Sequence, residues 1–172
     1  MAGFSESNIT LDFPTEHWFR FEKSKPYSSI SAFHFKEMDA CWVKNIGSGQ
    51  SEFYAIELKD YRSSRFNEKA ETRVWDIVKK VVDTIQMIMS ARHQYPFGKK
   101  LEAEKNIDLH TGDVTAKFLT IVDIRPEDSP LFAGMKDECL NRLRGYMSVW
   151  ENIEIYILTK VQAQKYYSEF VK

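Results

Sequence analysis

Two neighbouring segments, Asp39–Lys44 and Glu52–Lys59, alternate like strands yet are apolar on both faces. One face carries Cys41, Val43, Phe53 and Ala55, and the other Ala40, Trp42, Tyr54, Ile56 and Leu58. A strand with two apolar faces belongs in a sheet covered on both sides, which restricts the chain to a layered fold. Between the two segments lies Ile46-Gly47-Ser48-Gly49-Gln50, whose glycines supply the positive φ of a tight hairpin.

The rest of the chain supplies the covering layers. Lys69–Arg92 reads as a long helix, with Ala70, Val74, Ile77, Val78, Val81, Ile85 and Ile88 on one stripe. Arg73, Asp76, Lys80 and Asp83 share the opposite face. Tyr27–Phe35 reads as a further strand, giving an expected antiparallel meander of three. Tyr95–Asp113 reads as polar and irregular, and Ala116–Ile124 as a buried strand. Ser129-Pro130 opens a helix, with serine as the cap and proline in the first turn. Its apolar side carries Met135, Cys139, Leu143, Tyr146, Met147 and Trp150. Ile153–Leu158 reads as a strand and Gln162–Val171 as a terminal helix. Thr10–Lys25 divides between a short helix opened by Pro14-Thr15-Glu16 and a strand over residues 17–21. The expectation is a single domain over residues 1–172 of the α/β (α+β) class, a three-layer sandwich around a central mixed sheet.

Composition narrows the function. With 43% hydrophobic and 28% charged residues the chain is an ordinary globular one. A net charge of −1 speaks against coating nucleic acid non-specifically, so any such contact needs a local patch. The two cysteines, Cys41 and Cys139, lie in apolar surroundings without CxxC spacing, which predicts buried, reduced thiols. No apolar run approaches the ~20 residues of a membrane helix, and the N-terminus lacks a basic run before an apolar core. A cytoplasmic protein is expected.

A three-residue loop at Gly47-Ser48-Gly49 would pair Ile46 with Gln50. Val43 would then face Phe53, Cys41 would face Ala55, and Asp39 would face Glu57, with Cβ atoms ~4.5–5.5 Å apart. A four-residue loop would instead set Asp39 opposite Leu58 or nearby. In the first register Lys59 shares the face of Glu57. Two carboxylates that close resist joint ionisation, and Lys59 offers one charge against two. A hard divalent cation would compensate, with the Leu58 carbonyl as a further ligand. Arg62 and Arg65 follow closely and are placed to meet a phosphate. The four histidines have no ligand spacing and read as structural or surface residues. The basic stretch of Arg92, His93, Lys99, Lys100 and Lys105, with Tyr95 and Phe97 interleaved, reads as a solvated loop.

Asp39, the hairpin, and Ile56-Glu57-Leu58-Lys59 together resemble the signature of the PD-(D/E)XK nuclease superfamily, with its restriction-endonuclease-like fold. The order of three strands, a long helix and a strand over Tyr27–Ile124 is similar to that family's core. The resemblance implies hydrolysis of phosphodiester bonds in DNA or RNA with Mg²⁺, or Mn²⁺, as cofactor. It implies that Asp39 and Glu57 hold the metal and that Lys59 assists the water. An acid from the first helix often completes such sites, and Glu16 and Glu22 are the candidates. A homodimer would fit the cutting of two strands. The chain departs from the pattern in having Met38 before Asp39 and no Gln-xxx-Tyr element in the long helix. The rival expectation is an inactive nuclease-like domain that serves as a binding or assembly module, with Asp39, Glu57 and Lys59 as an ion-pair cluster.

Overall fold

The structure is a computed structural model that describes residues 2–14, 17–62, 70–150 and 152–172. Its centre is a five-stranded mixed sheet of β3 (Trp18–Phe19), β4 (Ala40–Gly47), β5 (Gln50–Asp60), β6 (Asp113–Asp123) and β7 (Ile153–Thr159), in that spatial order. Neighbours from β3 to β5 are antiparallel, while β5, β6 and β7 are parallel. The two parallel crossovers carry helices: α2 (Ala70–Arg92) and α3 (Pro96–Lys105) between β5 and β6, and α4 (Ser129–Val149) between β6 and β7. Helix α1 (Lys25–Ser31) precedes β4, and α5 (Lys160–Tyr166) follows β7.

Both faces of the sheet are buried, as the two-sided apolar strands require. Cys41, Val43, Phe53, Ala55, Phe118 and Ile155 meet Val74, Ile77, Val81 and Ile85 of α2 and Met135, Cys139 and Leu143 of α4. The opposite face meets a second sheet, the hairpin of β1 (Ala2–Glu6) and β2 (Ile9–Phe13). There Ile9, Leu11 and Phe13 pack with Trp42, Tyr54, Ile56 and Leu58, and Ala163, Phe170 and Val171 close the layer. Both cysteines are free and buried. Among the described residues no helix is long and apolar enough to cross a membrane.

Four sequence expectations are corrected. Tyr27–Phe35 is no strand: the Ser24 hydroxyl accepts from the Tyr27 N–H at 3.2 Å, and Pro26 sits in the first turn of α1. The third antiparallel strand is instead the short β3, paired at Trp18–Trp42 and Phe19–Cys41. Tyr95–Asp113 contains α3, begun by Pro96 and ended by Asn106 in the left-handed conformation. The terminal helix starts at Lys160, where Thr159 and Gln162 form a capping box, and it ends at Tyr166 because Phe170 and Val171 are drawn into the second core. Ser129 is the first residue of α4 and not its cap, which is Asp128.

Candidate active site

The register of β4 on β5 decides which side chains meet. Cys41 pairs with Ala55 and Val43 with Phe53, as expected, but Gly47 pairs with Gln50, so a bulge beside Ile46 replaces the expected three-residue loop. Ser48 and Gly49, both at positive φ, form the two-residue turn. Beyond the bulge the pairing runs unbroken to Ala40–Ile56, which carries Asp39 alongside Glu57. Odd-numbered residues of β5 point to the α2 side, so Glu57 and Lys59 extend the row of Phe53 and Ala55.

At that end of the sheet the row changes from apolar to charged. Glu57 is 1% exposed. Its Oε1 lies 2.8 Å from Lys59 Nζ and 2.7 Å from Lys80 Nζ. Lys80 Nζ also reaches Asp39 Oδ1 at 3.2 Å. The other Asp39 oxygen accepts the Leu58 N–H at 2.7 Å. Lys59 Nζ is shared with Asp76 Oδ2 at 2.7 Å, and Asp76 Oδ1 is paired with Lys36 Nζ at 2.7 Å. Thus Asp39, Glu57 and Lys59 are brought together, and helix α2 adds Asp76 and Lys80.

Burial, and next the nearby Asp39 carboxylate, push the Glu57 carboxyl up to about 7 against the pull of both lysines. Burial acts on Asp76 in the same sense, but hydrogen bonds from Lys36 and Lys59 outweigh it and hold that carboxyl at about 2. Burial works to lower both Lys59 and Lys80; Glu57, with Asp76 for the first and Asp39 for the second, overcomes it and raises both ammonium groups. The cluster borders a pocket of about 440 Å³ that Glu6, Ser7, Asp60, Tyr61 and Arg73 also line. Arg73 is buried, with its guanidinium 5.4 Å from the centre of the Tyr61 ring.

Other expected participants fall differently. The Leu58 carbonyl accepts from the Ser7 hydroxyl at 3.3 Å. Arg62 is exposed, 3.5 Å from Asp123, and does not line the pocket. Arg65 and Glu16 lie outside the described residues. Glu22 pairs with Arg20 at 3.1 Å and does not line the pocket; among the described residues of the N-terminal segment, Glu6 is the acid that does.

The polar stripe of α2 is not a solvated face. Arg73 and Asp83 are buried, and Asp83 accepts the Lys36 N–H at 2.8 Å. The signal was present in the sequence, because 73, 76, 80 and 83 repeat at the three-and-four spacing of one helix face. That spacing does not say what the face meets.

Elsewhere, ligand atoms of Glu102, Asp108 and His110 lie within 4.8 Å of one another, a set that could hold a metal ion. The Glu102 carboxylate already accepts from the Leu109 N–H at 2.6 Å and from Gln94 Nε2 at 2.7 Å. Those bonds tie the α3–β6 connection to the buried end of α3.

No protein-family model, curated protein or solved structure matches the chain.

Proposed function

We propose that the protein is a magnesium-dependent nuclease, hydrolysing phosphodiester bonds of DNA or RNA on a restriction-endonuclease-like core. The observation that carries this reading is convergence: Asp39 Oδ1 and Glu57 Oε1, from neighbouring chain segments, lie 3.2 and 2.7 Å from one positive charge, the Lys80 Nζ, with Lys59 beside them. Hard carboxylate oxygens aimed at one point beside a pocket fit a small divalent cation. The chain order β3, α1, β4, β5, α2, α3, β6, with three antiparallel strands, a long helix and then a parallel strand, supports the fold. The buried thiols Cys41 and Cys139 support a reducing compartment, the cytoplasm.

Asp39 and Glu57 would hold the metal, with the Leu58 carbonyl as a further oxygen. Bound there, Mg²⁺ supplies polarisation of the phosphoryl oxygen and a lowered pKa for water. Lys59, fixed by Asp76, orients the water and faces the charge that develops on phosphate. Arg62, exposed just beyond the end of β5, would supply positive charge for the nucleic-acid backbone, and a homodimer would place two sites on a duplex. Cleavage of mixed nucleic acids should require Mg²⁺ or Mn²⁺ and vanish in Lys59→Ala while the circular-dichroism spectrum stays native. Absence of metal-dependent cleavage by wild type would end this reading.

A second reading has its own support. The carboxylates Asp39, Glu57 and Asp76 are matched by the ammonium groups of Lys36, Lys59 and Lys80. So balanced a cluster suits a nuclease-like domain without activity that binds or assembles, and calorimetry with millimolar Mg²⁺ separates the two.

A further inference from the structure

The point on which the two carboxylates converge is held by a lysine head. Lys80 Nζ is 2.7 and 2.8 Å from the two Glu57 oxygens and 3.2 Å from Asp39 Oδ1. An ammonium has three protons to donate, and these contacts use all of them. A divalent cation drawn to the same oxygens cannot sit there as well: two cations at such separation repel strongly, more so beside a side chain as buried as Glu57.

The surroundings of Lys80 leave its side chain, and not its backbone, free to move. Helix α2 is anchored on either side of Lys80 by Ile77, Val81 and Thr84, all at most 1% exposed, so the backbone does not yield. The Lys80 side chain is 19% exposed and borders the pocket, which the acidic residues Glu6 and Asp60 also line. Lys59 is placed otherwise: it rises from the same strand as Glu57 and is held from its far side by Asp76.

We propose that Lys80 is a resident counter-cation at the metal position, so that a divalent ion gains Asp39 and Glu57 only when the Lys80 head swings into the pocket; this rests on the reading of the site as a metal centre. The lysine keeps the metal-free site intact and weakens its metal affinity. Freed by the metal, the ammonium is delivered to the cavity that a substrate phosphate would enter.

Calorimetric titration of Mn²⁺ into wild type, Lys80→Met and Lys80→Arg tests this on the intact chain. Lys80→Met should bind Mn²⁺ roughly tenfold or more tightly than wild type, since a competing unit charge at contact distance has gone. Lys80→Arg keeps the charge and should show no gain, and adding Asp39→Asn to Lys80→Met should remove it. If Lys80→Met melts too low to measure, Lys80→Gln makes the same comparison. Equal affinities of wild type and the neutral variants would overturn the competition and leave the metal site standing. Absence of binding in every variant would overturn the metal reading and the competition together.

Discussion

Asp39 Oδ2 accepts the Leu58 N–H at 2.7 Å, although Asp39 lies one residue before β4 begins. The side chain thereby extends the strand ladder where backbone pairing has stopped, and the same carboxylate presents its second oxygen to Lys80. Asp39→Ala removes the acceptor and should cost roughly 2–3 kcal/mol. Asp39→Asn keeps an oxygen for Leu58 and should cost about 1 kcal/mol. Urea denaturation at pH 7 measures both, and equal losses would mean that the Leu58 bond contributes little.

Glu57 makes stability fall as pH rises. Its folded-state value of about 7 exceeds the ordinary 4.5, so the folded protein binds this proton more tightly than the unfolded chain. The contribution is fully present below pH 4.5 and is lost as pH climbs through 7. Glu57→Gln lacks it. The stability of wild type minus that of Glu57→Gln should therefore fall by on the order of 3 kcal/mol across this window. A difference that is flat with pH would show that Glu57 is not held up by burial.

Asp76 acts in the opposite sense. Its value of about 2 lies below the ordinary 3.8, so its contribution is present above pH 3.8 and is lost as pH falls through 2. Asp76→Asn should lower stability at pH 7 by about 1–2 kcal/mol, allowing for the side chain's partial exposure to solvent. It should also flatten the acid limb of a stability–pH curve relative to wild type. Thermal melts from pH 2 to 7 read both effects.

Gly98 is where α3 lies directly on α2. A Cβ there would stand 2.2 Å from the Ala91 Cα and from the Ala91 nitrogen, both backbone atoms that cannot move aside. Gly98→Ala should cost roughly 3 kcal/mol or more, beyond the usual range for overpacking because neither helix can yield. A melting temperature within a degree of wild type would mean that the helices separate at little cost.

The sequence by itself determined whatever depends on neighbours along the chain. Period-two alternation gave the faces of β4 and β5, while the register that brings Asp39 to Glu57 stayed open between two loop lengths and was settled by the bulge beside Ile46. Period 3.6 gave α2 and the apolar stripe that meets the sheet. Local signals also existed for two segments read otherwise: Ser24 with Pro26 for α1, and Pro96 with Asn106 for α3. Their short helices are held by tertiary burial of Tyr27 and Leu101, which weak local propensity does not announce. What only the tertiary structure decided is the company that Asp39, Glu57 and Lys59 keep. Lys80 and Asp76 stand on a helix face whose spacing is plain, but the object opposite that face depends on how α2 lies across the sheet. That angle is set by packing between Val74, Ile77, Val81 and the strands, a sum of contacts between distant residues that no local pattern encodes.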